Sequence, residues 1–343
     1  MGRITIKDIA RESGYSIGTV SRALNRTAGV SEEAREAIFN VVAKYNFQLN
    51  PNAKFLKQRA KEGIAILIRG TENMLFSDLT EKIQKKIESL GYDAIVYYIG
   101  EEENEVQEAI HICTQRSLLG IMFLGSTREN FRRYFRNIRI PSLLVTNSAV
   151  GLPYPNLSSV TTNDAQGAQF AIEYLFSLNH THIGVLGGRL EDSQAAKSRY
   201  QGIQYAYYNR GKNFDFSSQY ETEYFTIEGG YSAMNRLLDK FPEATAVFVM
   251  SDVMAIGAMR AAADRGLRIP EDLSIIGFDG LKIADYIIPR LTTIKQDTTA
   301  IAERSVSILT GTIEEQKPAA YEEIAFSLVE GESVRALEPS QTS

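Results

Sequence analysis

The chain has 343 residues, 44% of them hydrophobic, and a formal net charge of −5. That length exceeds one ordinary domain, and the apolar content is enough for a large core. Cys113 is the only cysteine, which excludes an internal disulfide, and no apolar run reaches the ~18 residues of a membrane span. Residues 1–8 lack the apolar stretch of a signal peptide. The expectation is a soluble cytoplasmic protein.

The charge is unevenly spread. Residues 1–62 hold 11 Lys+Arg against 6 Asp+Glu, a balance of +5, whereas the rest of the chain carries −10. A basic head on an acidic body is the asymmetry expected when one end meets a polyanion.

Three short helices are expected in the head. Thr5 is a candidate N-cap with Asp8 close behind it, and Ile6, Ile9 and Ala10 form an apolar stripe. Gly14 ends this helix, because glycine tolerates the left-handed turn. Ser16 caps a second helix with Val20, Ala23 and Leu24 on its inner face, ended by Asn25 and Gly29. Ser31, followed by Glu32 and Glu33, opens a third, with Ala34, Ile38, Val41, Val42 and Tyr45 on one face. Two short helices joined by about four residues including a glycine form the helix-turn-helix layout. The outer face of the second helix carries Ile17, Gly18, Ser21, Arg22 and Arg26, and a helix of this width fits the major groove. A plain three-helix bundle with solvated charges is the alternative on pattern alone. Residues 46–62 read as a basic connector.

From Gly63 strands alternate with helices. Strands are expected at 64–68, 94–98, 120–124 and 143–146, with helices at 76–90 and 105–116 and a further helix before the fourth strand. A second series follows: helix 164–178, strand 183–186, helix 194–209, then strands 246–250 and 273–278 flanking helix 253–265. Such alternation implies parallel sheets covered on both faces, with ligands beyond the carboxyl ends of the strands. A cleft between two lobes is the expected site. Enzyme chemistry has little support. Gly187-Gly188 lacks the remaining glycines of a dinucleotide fingerprint, and Arg69-Gly70-Thr71 is no phosphate cradle. The histidines are His111, His180 and His182, none in a zinc-type cluster, and no G-x-S-x-G elbow appears.

Residues 6–25, IKDIARESGYSIGTVSRALN, closely resemble the headpiece of the lactose/galactose repressor family. The resemblance continues through Asn163-Asp164 with Gly167, the run HIGVLGG at 182–188, Arg199 followed by Gly202, Ser251-Asp252 through Gly257, and Gly277-Phe278-Asp279. It covers nearly the whole chain, and the body also looks like periplasmic sugar-binding proteins. The implied fold class is α/β: a helix-turn-helix headpiece plus two doubly wound parallel-sheet lobes.

The resemblance implies a headpiece at 1–48, a hinge helix at 49–62 and an effector-binding, dimerising body at 63–343. The lobes would be 63–161 with 293–324, and 162–292 with 325–337, joined by crossings near Thr162, Leu291–Thr293 and Ala325. Ile17 and Gly18 fall on the family's specificity positions. Arg22 would fork onto guanine, and Ile17 offers apolar contact to a thymine methyl. Ser16, Thr19 and Ser21 would serve phosphates or packing, which positions rather than specifies, and Asn25 counts among the DNA-binding residues. In the hinge, Asn50 and Lys54 match family positions and Leu56 matches the leucine that wedges into the minor groove. Here Leu49-Asn50-Pro51 replaces the usual Pro-Asn-Ala, and Pro51 is acceptable at a first helical position.

In the body, Phe76, Asn147, Arg199, Phe225, Ser251 and Asp279 match cleft positions. Arg199 and Asp279 would hold ligand hydroxyls, and the two aromatics would face a ring. The structural alternatives are a surface ion pair for Arg199, a cap for Asp279 and core packing for the rings. The implied function is a DNA-binding transcription regulator, a repressor controlled by a small molecule, with a sugar or sugar derivative the first expectation and a nucleobase the second. Its partners would be a near-palindromic operator and a second copy of the chain, paired through helix 76–90 and the neighbouring strand-helix unit, or two such pairs as a tetramer. No cofactor is implied. A sugar-transport binding protein shares the body, but the basic head argues against it.

Overall fold

The computed structural model describes residues 6–24, 30–45, 63–70, 73–191 and 193–338. Two units separate, residues 1–61 and 62–343.

The first unit contains α1 (Ile6–Ser13), α2 (Ile17–Leu24) and α3 (Glu32–Lys44). Gly14, at φ +74°, takes the left-handed turn after α1 that a side chain would resist. Ser16 Oγ accepts from the Thr19 N–H at 3.1 Å at the start of α2. Ser31 Oγ does the same for Ala34 N–H in α3 at 3.3 Å, next to Glu32 and Glu33 in the positive first turn. Ile9, Ala10, Val20, Ala23 and Ile38 form the buried core. Leu24, Val41, Val42 and Tyr45 pack partly buried around it.

The second unit holds β1 (Gly63–Arg69), α4 (Met74–Ser89), β2 (Asp93–Ile99), α5 (Glu105–Gln115), β3 (Leu118–Leu124), α6 (Arg128–Tyr134), β4 (Ser142–Val145) and β5 (Leu157–Thr162). Then come α7 (Asp164–Ser177), β6 (Ile183–Gly187), α8 (Gln194–Asn209), α9 (Phe216–Gln219), β7 (Tyr220–Thr222), α10 (Ile227–Lys240), β8 (Ala246–Val249), α11 (Asp252–Asp264) and β9 (Ser274–Asp279). Strand β10 (Thr292–Gln296), α12 (Thr298–Glu315), β11 (Tyr321–Ile324) and β12 (Phe326–Val329) complete it.

The strands form two six-stranded sheets, β11-β5-β4-β3-β1-β2 and β12-β10-β9-β8-β6-β7. Among the described residues all pairings are parallel except β10 with β12. Helices cover both faces of each sheet, and each face has its own apolar cluster. The chain leaves the first sheet after Thr162 and switches sheets again across Ala325, between β11 and β12. The middle crossing was expected at Leu291–Thr293. It lies later, after Gln296, because β10 pairs in register with β9 and β12 and so belongs to the second lobe. Residues 293–296 therefore move from the expected first lobe to the second.

Glycines set two close helix contacts. A Cβ on Gly230 would lie 2.0 Å from the Met254 carbonyl, and one on Gly257 1.8 Å from that of Ile227, so α10 and α11 pack backbone against backbone. Gly202 likewise brings α8 against the Ala165 carbonyl of α7. Among the described residues no helix is long and apolar enough to cross a membrane.

Candidate functional site

In the second unit a cavity of about 610 Å³ lies between the lobes. It opens at the carboxyl ends of both sheets, the position where doubly wound folds bind ligands. From the first lobe come Arg69 and Gly70 after β1, Gly125 and Ser126 after β3, and Thr146 and Asn147 after β4. The second lobe supplies Gly188 after β6, Ser251 after β8, Asp279 of β9 and Gln296 of β10. Two lining residues are strained: Thr146 sits at φ +71° and Asp279 at φ +119°, where side chains are disfavoured. Such strain persists only where the surroundings impose it, and it concentrates at binding sites.

Phe76, Asn147, Arg199, Phe225, Ser251 and Asp279 all line this cavity. Two glycines shape the aromatic faces. A Cβ on Gly125 would come within 2.9 Å of the Phe76 ring, and one on Gly188 within 2.8 Å of the Phe225 ring. The Asn147 amide donates to the Ser126 carbonyl and ties the β3 and β4 loops together.

Arg199 is neither exposed nor a surface ion pair; it is 5% exposed, with Nε and one Nη in hydrogen bonds. Its Nε donates to Asp164 Oδ1 at 2.8 Å, one Nη donates to the Met250 carbonyl, and the other lies 3.6 Å from Asp279 Oδ1. The guanidinium stacks 3.7 Å from the centre of the Phe278 ring. Asp279 in turn accepts from Ser251 Oγ at 3.0 Å and Gln296 Nε2 at 2.9 Å. Behind it Asp252 accepts from Thr293 Oγ1 at 2.6 Å and from the Leu281 N–H at 2.7 Å. It is thus Asp252, not Asp279, that caps the segment after β9.

Sequence reasoning gave Asp164 and Asp252 no site role and did not single out Gln296. Their signal was weak: both aspartates sit at helix starts, where capping is the ordinary explanation. Glu105 is a further missed residue. Buried at the start of α5, it accepts from the Thr127 N–H at 2.6 Å and Asn130 Nδ2 at 2.8 Å, and so fixes the loop after β3. His180 is structural, bridging Thr245 Oγ1 at 3.0 Å and the Arg335 carbonyl at 2.9 Å.

Burial raises all three aspartates. Asp252 is held well above the usual carboxylate range by burial and then by the charge of Asp279, and Asp164 is raised by burial against the pull of Arg199. Asp279 is pushed from 3.8 up to about 6, burial outweighing Arg199, Gln296 and Ser251. The folded state therefore favours protonated Asp279. Its stabilising contribution is present below pH 3.8 and is lost as pH rises through about 6. Asp279→Asn is expected to remove on the order of 3 kcal/mol of that decline. The readout is a flatter pH dependence of the urea midpoint across this window; a profile unchanged from the parent would contradict the assignment.

In the first unit, the α2 residues Ile17, Gly18 and Arg22 are exposed, Thr19 and Ser21 half-buried. Ser16 Oγ, besides capping α2, lies 2.9 Å from Thr19 Oγ1. The Arg22 guanidinium leans back along the helix, its Nε 3.4 Å from the Gly18 carbonyl. Asn25, Asn50, Lys54 and Leu56 lie outside the described residues.

The chain matches two family models: bacterial regulatory proteins, lacI family, over residues 5–50, and a periplasmic binding protein-like domain over 172–334. It is 33% identical over 316 residues to the HTH-type transcriptional regulator MalR of Clostridium butyricum, covering 89% of this chain and 92% of that one. It is 28% identical over 307 residues to the HTH-type transcriptional repressor PurR of Haemophilus influenzae, covering 89% and 90%. In fold it is similar to a lac repressor dimer bound to operator and the anti-inducer ONPF, with a TM-score of 0.75 at 24% identity over 98% of this chain and 100% of that one. A helix-turn-helix headpiece and a two-lobed body, together with the 33% identity to the Clostridium butyricum regulator, place the chain in the lacI family of bacterial regulatory proteins.

Proposed function

We propose that this protein is a transcriptional repressor whose grip on an operator is set by a small molecule, a sugar or sugar derivative, held between its lobes. The observation that carries the reading is the pairing of two features in one chain. An exposed α2 face offers Ile17, Gly18 and Arg22, and a cleft of about 610 Å³ is lined by Arg199, Asp279 and two aromatic rings. In this account α2 enters the major groove. Arg22 forks onto a guanine, Ile17 meets a thymine methyl, and Gly18 lets the backbone approach. Ser16, Thr19, Ser21 and Asn25 hold phosphates. Asn50 and Lys54 position the hinge, and Leu56 opens a base step from the minor groove.

Two copies pair through the first lobe, using α4 and the neighbouring β2, so the operator is a near-palindrome matched to their two-fold axis. Ligand in the cleft favours one lobe arrangement over the other and so changes operator affinity; the coupling requires unequal affinity for the two states. DNA binding places the protein at the nucleoid, with no catalytic step and no cofactor.

The direct test is selection of duplexes from a randomised pool by the full-length protein. The expected result is enrichment of an inverted repeat, with binding that weakens steeply as salt rises. Retention of random duplexes without any shared sequence would refute the reading.

A further inference from the structure

We infer that the cleft takes an uncharged or amino-bearing carbohydrate and rejects phosphorylated and carboxylated ones. This inference rests on the cleft being the effector site.

Among the described residues, every arginine lining the cavity already has partners within the protein. Arg199 is held by Asp164, Asp279 and the Met250 carbonyl. Arg69 donates to the Glu101 carbonyl at 2.6 Å and to Thr127 Oγ1, with Glu105 at 4.0 Å. Arg189 donates to Tyr224 Oη at 2.9 Å and lies 5.2 Å over that ring. A phosphate or carboxylate that used a guanidinium would draw it away from these present partners. For Arg199 the partners left behind would be buried carboxylates, which is costly.

Three of the carboxylates at the cleft are less committed than Asp164, Glu223 and Asp279, which are paired with arginines. Glu101, Glu102 and Glu103 lie together on the loop after β2 at the cavity wall, all exposed. None of them makes an ion pair among the described residues. The loop is nevertheless anchored: Glu103 accepts from the Gly100 N–H at 2.5 Å, and Glu102 accepts from Tyr224 Oη of the opposite lobe at 3.3 Å. A low-dielectric cleft with one sign of excess charge focuses that field on whatever enters. Here the excess is negative. It repels anions, tolerates hydroxyls that donate to carboxylates, and attracts ammonium groups.

The rest of the wall suits hydroxyls. Ser126 Oγ, on a residue 6% exposed at the cavity, has no hydrogen-bond partner among the described residues. Asn73, Asn104, Asn130 and Gln194 add neutral donors and acceptors, with Phe76 and Phe225 as faces for a ring.

Thermal melting and titration calorimetry of the full-length protein test this. The panel is glucose, ribose, trehalose and cellobiose, their phosphate esters, glucosamine, glucuronate and guanine. At least one neutral or amino sugar should raise the melting point, because a ligand selective for the folded state stabilises it. Its phosphate ester should bind on the order of tenfold or more weaker, and this gap should shrink at high salt and in a Glu101→Gln/Glu102→Gln/Glu103→Gln variant. Equal or tighter binding of an ester or of glucuronate, a response to guanine alone, or a gap unchanged in the triple variant would overturn the inference. So would silence from the whole panel, although enrichment of an inverted repeat in the duplex selection would then leave the DNA-binding reading standing.

Discussion

Arg199→Ala should destabilise the body by about 3–5 kcal/mol near neutral pH, the cost of leaving buried charge without its partner. Asp164 and Asp279 both depend on this one guanidinium, at 2.8 and 3.6 Å. The cation also closes the Phe278 ring face at 3.7 Å, so the loss is one of packing as well as charge. The sign of the pH dependence follows. Without the arginine, both carboxyls are neutral more readily, so the penalty is greatest above neutrality and shrinks as pH falls through the range where they protonate. Arg199→Lys keeps the charge but loses the fork and should fall between the two. Urea unfolding at pH 8 and pH 5 is the measurement. A penalty below about 1 kcal/mol at pH 8, the worth of an exposed pair, would show that the network does not hold the second lobe together.

Arg22→Ala should weaken binding to the selected operator by about 1–3 kcal/mol and relax preference at one base pair. Affinity for random duplex should change far less, because a base contact specifies whereas phosphate contacts position. The side chain is exposed on α2 and its neighbours Val20 and Ala23 carry the buried face, so the headpiece fold should survive. Competition by operators altered one pair at a time gives the readout. Undiminished discrimination at every pair would remove Arg22 from base recognition.

Much of this was legible in the residues because local and tertiary preferences agree. Ser16 and Ser31 cap the helices that their positions suggest, and the inner stripes Ile9, Val20 and Ile38 are buried. Where they disagree, the pattern was silent. Strand β5 reads Leu157-Ser158-Ser159-Val160-Thr161-Thr162, too polar to suggest a buried strand, yet every residue is buried. Ser158 Oγ accepts from the Ala320 N–H at 3.1 Å, whereas Thr162 Oγ1 is buried with no hydrogen-bond partner among the described residues. Helix α10 carries Gly229 and Gly230, which argue against a helix until Gly230 is seen to meet α11 and Gly229 the Tyr224 carbonyl. The misplaced middle crossing has the same origin. Thr293 and Gln296 look like polar linker residues, but they are buried donors to Asp252 and Asp279.

The cleft shows the same division. Its residues on strand ends could be read from position and family resemblance. The partners that neutralise Arg199 and the acidic loop at 101–103 could not, because their roles depend on distances across elements far apart in the chain.

The claim on which all of this turns is that occupancy of the cleft changes the hold on DNA. Fluorescence anisotropy of the selected operator, titrated with full-length protein in the presence and absence of the sugar that raises its melting point, measures it. The account predicts a shift in operator affinity of about fivefold or more, lost in Asp279→Ala. The same operator affinity with the cleft filled and empty would contradict it.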